Sequence, residues 1–349
     1  MISNFTRFPL IILLSLLISG QPDSSKLIYE GEIHFDNMRQ LTFGGENAEA
    51  YFSADGKRAI YQAHDDEGEC DKIYIMDLET GKIELVSTGM GVTTCSFFQY
   101  PNDSTIIYSS THLGSSECPD KPDYSMGYVW PLFPTYDIFR ATMDGTNPQQ
   151  LTSEWGYDAE ATYAFDGSRI IFTSLASGDL ELWTMNPDGS DKLQLTERLG
   201  YDGGAFFSHD GSKIVWRAHY PETQEQQLNY IDLLKQSVIR PMALQIWVMD
   251  SDGSNKHQIT DNSASNFAPF FYPDDKRIIF SSNLSNPRGR NFDLYAVDAE
   301  GGQLEQITFY DGFDSFPMFS PDGMKLVFSS NRNQSKKGET NLFICDWVE

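Results

Sequence analysis

The chain has 349 residues, with 25 Lys and Arg against 50 Asp and Glu, which gives a formal net charge of −25. An excess of carboxylates of this size repels polyanions, so nucleic acid and anionic membrane surfaces are not expected as partners. We interpret the charge chiefly as a solubilising surface, with affinity for cations as a second interpretation.

Residues 1–20 are typical of a secretory signal peptide. They hold one basic residue, Arg7, then an apolar run at Leu10–Ile18 and the small residues Ser19 and Gly20. The run is too short and too weakly flanked for a membrane span. We therefore predict a periplasmic or secreted protein without a stable membrane span after signal removal, a retained anchor being the alternative. Residues 21–38 are assigned to an N-terminal extension.

From Arg39 onward the chain consists of imperfect copies of one unit, and its clearest copy is Phe319–Arg332. The Pro-Asp-Gly within that copy favours a tight turn, and the apolar runs on both sides favour strands, so each copy predicts a β-hairpin. Each copy continues with a third apolar strand and a short fourth strand, such as Gln194-Leu195-Thr196. Six copies align on a turn aspartate: Asp55, Asp103, Asp166, Asp210, Asp274 and Asp322.

A unit of four short strands that recurs at intervals of about 45 residues is typical of a propeller blade. Six copies therefore predict an all-β, six-bladed β-propeller with four-stranded antiparallel blades. The last copy ends with its third strand, Asn341–Val348, whereas an orphan fourth strand, Arg39–Thr42, precedes the first copy. We expect Gln40–Thr42 to be the outer strand of the last blade, since this closure hides the sheet edges. Residues 39–349 then form one propeller domain.

Four cysteines in an exported chain raise the question of disulfide bonds. Cys70 and Cys118 fall in equivalent loops of adjacent blades, and we predict that they pair. Cys95 begins an inner strand nearby and is the competing partner for either of them. Cys345 lies inside the last third strand and is expected to be buried and free.

The repeats resemble the WD40-like Pro-Asp-Gly repeats of the TolB-type propeller family, from Arg39 to Glu349. This resemblance implies a secreted or periplasmic six-bladed domain that binds proteins or other ligands. A more distant resemblance is to propeller lyases of acidic oligosaccharides, in which several histidines on the disc face hold a metal.

Repeat register predicts which side chains share one face of the disc. The first two strands are antiparallel, so residues eight before and nine after the turn aspartate return to the same end of the blade, opposite the turns. The first set is Asn47, Cys95, Asp158, Asp202, Asn266 and Asp314, and the second is His64, His112, Leu175, His219, Asn283 and Asn331. We expect them to line a funnel, although Asn and Asp there also satisfy backbone groups at strand ends.

Three histidines of the second set, together with Glu160 or Glu49, would form a nitrogen and oxygen ligand set suited to Zn, Mn, Ni or Fe. These are His64, His112 and His219, and a divalent ion, Mn, Zn or Ca, is the one cofactor that they indicate. His219 lies across the hole in the fourth blade, so a site of His64 and His112 alone is geometrically easier. The alternative is that the histidines cap strands or pack against loop aromatics.

Two insertions, at residues 113–135 and 220–245, fall in loops of this same face. The first carries Tyr124, Tyr128, Trp130 and Phe133, which form either a stacking wall for a sugar or peptide or a packed contact with the disc. The second has Leu228, Ile231, Leu234 and Val238 at helical spacing, which predicts an amphipathic helix over the mouth of the funnel. Arg217 and Arg332 are the cations expected at the funnel, where they could hold a carboxylate.

The sequence contains no Gly-x-Ser-x-Gly, His-Glu-x-x-His, phosphate-loop or Cys-x-x-Cys motif. We therefore predict a binding module in preference to an enzyme. Its funnel face is expected to bind a protein partner or a small or oligosaccharide ligand. The predicted site residues are His64, His112, His219, Asp158, Glu160, Asp202, Arg217, Asn283, Asp314, Asn331 and Arg332. The alternative function is a metal-assisted lyase or hydrolase that acts on an acidic oligosaccharide.

Overall fold

The computed structural model describes residues 26–65, 69–125 and 127–349, so the predicted signal peptide at residues 1–20 lies outside the described residues. Within these ranges the chain forms 26 strands and one helix. The strands build six antiparallel four-stranded sheets arranged as a ring, as the repeat predicts, and one additional two-stranded sheet.

The first half of the ring follows the chain in order. Strand β1 is Phe35–Gln40. The first blade is β2 (Glu46–Phe52), β3 (Arg58–His64), β4 (Lys72–Asp77) and β5 (Ile83–Leu85). The second is β6 (Thr93–Phe98) and β7 (Thr105–Ser110), then, after the insertion strand β8 (Trp130–Pro131), β9 (Asp137–Thr142) and β10 (Gln149–Gln150). The third is β11 (Asp158–Tyr163), β12 (Ile170–Ser174), β13 (Glu181–Met185) and β14 (Leu193–Gln194).

The second half contains the single described helix. The fourth blade is β15 (Tyr201–Phe207) and β16 (Lys213–His219), then, after helix α1 (Gln224–Lys235) and strand β17 (Val238–Ile239), β18 (Gln245–Asp250) and β19 (His257–Gln258). The fifth is β20 (Asn266–Phe271), β21 (Arg277–Ser282), β22 (Asp293–Asp298) and β23 (Glu305–Gln306). The sixth is β24 (Asp314–Phe319), β25 (Lys325–Ser330) and β26 (Asn341–Trp347), with β1 as its outer strand.

The ring closes as predicted, because β1 pairs antiparallel with β26. Gln40 lies opposite Phe343, and the backbone N–H of Leu41 donates to the carbonyl of Leu342 at 2.8 Å. The strand begins at Phe35, earlier than the repeat pattern that starts at Arg39. Closure therefore uses more of the N-terminal segment than the Gln-Leu-Thr motif alone indicates.

The Gln-Leu-Thr motif has a structural role at the outer strand. The threonine hydroxyl accepts a hydrogen bond from the third strand, as in Leu182 N–H to Thr196 Oγ1 at 2.8 Å. The glutamine amide donates to the carbonyl of the same threonine, at 2.7 Å from Gln194 to Thr196. Because the outer strands are only two or three residues long in five of the blades, these side-chain bonds supply pairing that the short ladder lacks.

The second blade corrects the predicted alignment. Its turn is one residue longer, since Phe98 pairs with Ile106 where the first blade pairs Phe52 with Ala59. Asp103 takes the left-handed turn position, φ 50°, that Gly56 takes in the first blade. The proposal that three histidines share one repeat position is therefore wrong. Thr111 is the equivalent of His64 and His219, and His112 follows it. Cys95 belongs with Glu49 instead of Asn47.

The two insertions meet on one face, where β8 pairs with β17. We call residues 113–125, 127–135 and 220–245 the cap. Helix α1 begins after Thr223, which forms a capping box with Gln226. The helix ends before Val238, which belongs to β17, so the predicted apolar stripe is shorter than its spacing suggested. Leu228 is 61% exposed and does not contribute to packing.

Cys70 and Cys118 form a disulfide bond, which confirms the predicted pair, and Cys95 and Cys345 are free. The bond joins the loop after β3 to the loop after β7, so it connects the first two blades on the cap face. Cys345 is buried in the sixth blade.

Within the described residues, no helix is long and apolar enough to cross a membrane.

Candidate functional site

A β-bulge interrupts the pairing of the first two strands in every blade. At each bulge one residue has φ between 49° and 59°. L-residues avoid this region of φ. The left-handed conformation nevertheless recurs at the bulge of all six blades, so it is a regular feature of the repeat. These residues, which we call the bulge ring, all line one central pocket: Glu49, Cys95, Glu160, Gly204, Ala268 and Phe316.

The residues two positions further along close the channel toward the Asp-Gly turns. The rings of Tyr51 and Phe206 are 5.5 Å apart, although they belong to the first and fourth blades on opposite sides of the ring. Phe97 lies 5.4 Å from Tyr51, and Phe270 lies 5.3 Å from Phe206. Direct contact between opposite blades blocks the channel at this depth. The space above it, lined by the bulge ring, is a blind well.

A buried ion pair occupies one side of the well. Arg217, from β16, bonds through Nη2 to the Glu160 carboxylate and through Nε to the Tyr201 hydroxyl at 3.1 Å. Glu160 also accepts from Thr173 Oγ1 at 2.8 Å and from the Gly204 N–H at 2.9 Å. Glycine at position 204 leaves room for the Arg217 guanidinium, which a Cβ there would displace. The Glu160 carboxylate is thus fully engaged by groups from two blades.

Glu49 is the second carboxylate of the well and has weaker compensation. Burial raises its pKa to about 7, the Arg217 charge opposes this rise, and the Glu160 charge adds to it. The neighbouring Cys95 thiol partly opposes this rise, and burial raises the pKa of that thiol well above its usual value. The polar members of the bulge ring thus come from the first three blades, and the last three contribute Gly204, Ala268 and Phe316.

Aromatic contacts connect the surface of the cap with this ion pair. Tyr124 and Tyr128 stack at 6.0 Å and are 47% and 61% exposed. Trp130 Nε1 donates to the Tyr128 hydroxyl at 3.2 Å, and the Trp130 ring lies 5.2 Å from the Arg217 guanidinium. Trp130 therefore packs onto the disc, as one interpretation predicted, whereas Tyr124 and Tyr128 stay exposed and the predicted stacking of a ligand on them stays a prediction.

The three predicted histidines have separate partners. His64 Nδ1 lies 2.6 Å from Asp71, and the bonds to Asp71 and Glu46 raise its pKa to about 10. His112 lies 2.9 Å from the Ser110 hydroxyl and 4.3 Å from the Phe139 ring.

His219 lies 3.4 Å from the Ala243 carbonyl, and burial lowers the pKa of both His112 and His219. In residues 26–65, 69–125 and 127–349, no three His, Cys, Asp or Glu side chains form a group that could hold a metal ion. The donors present therefore do not fit the expected metal.

The aspartates at the starts of first strands are buried inside the blades and do not line the well. Asp202 accepts from Trp216 Nε1 at 2.6 Å and from the Tyr220 hydroxyl at 2.5 Å. Burial raises the pKa of Asp158 to about 6, with bonds to Ser174 and Thr152 opposing the rise. These contacts match the structural interpretation, in which short polar side chains satisfy groups at strand ends.

Asn283 and Asn331 serve the backbone of neighbouring loops. Asn283 accepts from the Ser265 N–H and Asn331 from the Phe313 N–H, both at 2.8 Å. Each bond joins the end of a second strand to the segment that leads into the first strand of its own blade. Neither amide is oriented by a contact with the bulge ring.

Arg332 corrects the prediction most clearly. Its side chain is fully buried and pairs with Glu32 at 3.0 Å and with Asp314 at 2.7 Å. It also donates to the Leu27 carbonyl at 2.8 Å. Arg332 therefore fastens the N-terminal segment to the sixth blade and cannot hold a ligand carboxylate at the funnel. Of the two predicted arginines, Arg217 alone reaches the well.

Sequence reasoning identified Glu49, Glu160, Arg217 and Trp130 but missed Tyr201 and the place of Cys95. A different signal would have corrected the register. The first strand of each blade ends in two large or β-branched residues, for example Tyr51-Phe52, Phe97-Phe98 and Phe206-Phe207. Alignment on these pairs, in place of the turn aspartate, brings the six bulge positions into register.

Comparisons with known proteins agree with this architecture. Residues 233–346 match the family model of the TolB beta propeller domain. A putative TolB from Agrobacterium tumefaciens superposes with a TM-score of 0.56 at 17% identity, covering 87% of this chain and 91% of that one. TolB from Acinetobacter baumannii superposes with a TM-score of 0.56 at 17% identity. The superposition covers 77% of this chain and 55% of that protein, so this chain spans about half of its length.

An oligogalacturonate lyase in complex with manganese gives a TM-score of 0.53 at 13% identity, covering 89% of this chain and 93% of that one. At these identities the structural likeness establishes the fold alone. The repeat unit, the six closed blades and the match at residues 233–346 agree with one another. The chain is a six-bladed β-propeller, and its residues 233–346 are similar to the TolB beta propeller domain.

Proposed function

We propose that this protein is an exported binding module and that the cap is the surface through which it binds a protein partner. The observation that carries the proposal is the set of exposed aromatic side chains on and beside the cap. Tyr124 and Tyr128 are stacked there, and Trp155, in the loop between β10 and β11, is 80% exposed. Tyrosine and tryptophan are enriched among the residues that dominate protein interfaces.

The Trp155 loop is structurally part of this surface. The N–H of Gly156 donates to the Pro134 carbonyl of the cap at 3.2 Å. The cap itself is ordered by the β8–β17 pairing and by the Trp130 contact with Arg217. A surface whose aromatics are exposed but whose backbone is fixed loses little conformational entropy on binding.

Export is the second part of the proposal. It is supported by the signal-peptide pattern at residues 1–20 and by the Cys70–Cys118 disulfide, since such bonds persist in oxidising compartments. A periplasmic location is also what the TolB resemblance implies. Cell fractionation of the tagged protein checks this, and recovery of the protein in the reducing cytosol with an intact signal would contradict it.

The binding surface is tested by a Tyr128→Ala/Trp155→Ala double variant. The control is Met324→Ala, which removes an apolar side chain of similar exposure, 66%, beside an Asp-Gly turn on the opposite face. Partners are captured from the envelope or secreted fraction of the source cells, and the affinity of each captured protein is then measured. We expect a partner that binds the parent and the control alike and the double variant about tenfold or more weakly.

A partner that binds the double variant as tightly as the parent would show that another surface is used. If none of the three proteins retained a partner, protein binding would be refuted as well. The metal-assisted lyase or hydrolase has less support, because the described histidines have separate partners and do not form a metal-holding group. The binding function is the one that the geometry supports better.

A further inference from the structure

We propose that the well is a binding site for a primary ammonium group, which pairs with the Glu49 carboxylate beneath the cap. The well is a different site from the exposed aromatic surface of the cap, so this proposal does not depend on the protein partner. Its ligand is defined by chemistry alone: one –NH₃⁺ group carried by a free amine or by a lysine side chain.

The charges in the well are unequal. Two carboxylates, Glu49 and Glu160, face one guanidinium, that of Arg217, and Arg217 bonds directly to Glu160. Arg217 is fixed further by the Tyr201 hydroxyl and by the Trp130 ring, so it cannot turn to Glu49 without breaking these contacts. None of the ion pairs found among the described residues reaches Glu49. One carboxylate in the well is therefore left for a cation from outside.

An unsatisfied hydroxyl lies in the same wall. Ser96 is 1% exposed, lines the well beside Cys95, and its Oγ has no hydrogen-bond partner in the described structure. A buried hydroxyl without a partner costs free energy, so a ligand that supplies a donor gains from it. The remaining space accommodates about one water-sized group. An ammonium group has that size, and its three N–H donors would meet the Glu49 carboxylate, Ser96 Oγ and the Cys95 sulfur.

Other ligand classes fit less well. An anion would meet Glu49 and Glu160 in a space of low dielectric. A metal ion lacks its ligand set, since no three His, Cys, Asp or Glu side chains in the described ranges converge suitably. A guanidinium spreads its charge over a planar group of three nitrogens, so it matches one carboxylate beside one hydroxyl less well than a compact ammonium group does. The Tyr51 ring at the floor adds a favourable face for a cation.

The ionisation of Glu49 makes the proposal pH-dependent. The charged or titratable groups around this carboxyl are Arg217, Glu160, Cys95 and Asp71. Burial raises the Glu49 pKa to about 7. An alkylammonium, with a pKa of about 10, stays charged throughout. Affinity therefore rises as pH increases through 7, and binding below pH 7 releases a proton from Glu49.

Isothermal titration calorimetry of the full mature protein tests the proposal with n-butylammonium and Nα-acetyl-lysine methylamide, and with n-butanol as the uncharged control. We expect both amines to bind about tenfold more tightly at pH 8 than at pH 6, because the ionised fraction of a group with a pKa near 7 changes by that factor. Butanol should not bind. Binding of the lysine derivative alone would identify a peptide side chain as the source of the ammonium.

Three variants separate this site from general electrostatic attraction. Glu49→Gln should weaken amine binding at least about tenfold and remove its pH dependence. Ser96→Ala should weaken it a few-fold, and it is safe for folding because Ala50, Ala161 and Ala205 occupy the equivalent positions of other blades. Glu84→Gln, an exposed carboxylate on β5 of the same blade as Glu49, should leave binding unchanged. Equal amine affinity in parent and Glu49→Gln, or no amine binding at pH 8, would overturn the proposal.

Discussion

Five L-residues of the bulge ring adopt a left-handed backbone conformation, with φ between 49° and 57°. This conformation costs each of them on the order of 1 kcal/mol relative to glycine. Glu49, Cys95, Glu160 and Phe316 use it to direct polar or space-filling side chains into the well. Ala268 places only a methyl group there. Of the five residues it therefore gains the fewest side-chain contacts to offset its backbone strain.

Ala268→Gly is therefore expected to leave the free energy of unfolding within about 0.5 kcal/mol of the parent, since relief of strain offsets the lost methyl group and the greater chain entropy. Ala50→Gly, in the bulge of the first blade but at ordinary φ, should destabilise by about 1 kcal/mol. Urea unfolding of the two variants gives the comparison. An equal loss in both would mean that the bulge stores no strain at position 268.

Prediction from sequence was uneven at this scale, and the second blade shows why. Turn aspartates are a strong local signal, but Asp103 occupies a glycine position, so alignment on it displaced Cys95 and His112 from their true equivalents. Arg332 and Arg217 look alike in sequence, each lying near the end of a second strand. One pairs with Glu32 from the N-terminal segment, a long-range contact that no local pattern reveals.

Among the elements, helix α1 depends on polar anchors as much as on apolar packing. The Tyr230 hydroxyl lies 2.6 Å from both the Asp179 carboxylate and the Gly200 carbonyl. At the start of the insertion the Tyr220 hydroxyl donates to Asp202. The helix is thus held onto the third and fourth blades by two tyrosine hydroxyls.

Tyr230→Phe should loosen the cap without unfolding the propeller. It removes the donor to Asp179 and leaves that part-buried carboxylate with fewer partners, which costs about 1 to 2 kcal/mol locally. Hydrogen exchange at residues 224–235 should accelerate about tenfold, while exchange in the blade strands should not change. Tyr124→Phe, on the exposed side of the cap, serves as the control. Unchanged exchange in the helix would show that apolar packing alone retains it.

The helix and its start were predictable, because Thr223 and Gln226 form a recognisable capping box before an apolar period. Its end was not. The chain leaves the helix at Ser237, with φ 57°, where no glycine or proline marks a stop. Val238 then pairs with a strand more than a hundred residues earlier in the chain, and a long-range pairing of this kind overrides local periodicity.

At the scale of the whole molecule, buried carboxyl groups meet between neighbouring blades. Glu181 of the third blade interacts with Asp202 of the fourth, and burial raises the pKa of both. Asp293 of the fifth blade, near Asp314 of the sixth, has its pKa raised to about 7 by burial and then by the Asp314 charge. Two carboxylates in one buried site cannot both ionise at low cost, so the Glu181–Asp202 pair holds a proton at neutral pH.

Stability should accordingly fall as pH rises from 5 to 8. An acid with a raised pKa binds more protons in the folded than in the unfolded chain, so its contribution is complete near pH 4 and is lost through pH 7 to 8. Glu181→Gln keeps the shape but removes one ionisation. It should be more stable than the parent by about 1 to 3 kcal/mol at pH 8 and similar to it at pH 5. The free energy of unfolding of both proteins is measured by urea unfolding at pH 5 and pH 8. If it depended on pH equally in parent and variant, Glu181 and Asp202 would not share a proton.

The number of blades could be predicted from the sequence, because each copy of the repeat forms the same pattern of strand pairing. Closure could be predicted as well, because the outer strand that the last copy lacks precedes the first copy in the chain. The site did not follow as readily. The well exists only where six bulges converge, and its ion pair joins Glu160 of the third blade to Arg217 of the fourth. Such geometry depends on how blades are arranged around the axis, which no single repeat encodes.

The closure between β1 and β26 sets an order of events during synthesis. Thr42 and Asn341 bond to each other across 299 residues of chain. The earliest strand of the ring to leave the ribosome is consequently the last to find its neighbour. Five blades can form in turn while β1 remains an unpaired edge, and the nascent chain has to keep that edge from pairing elsewhere until β26 emerges.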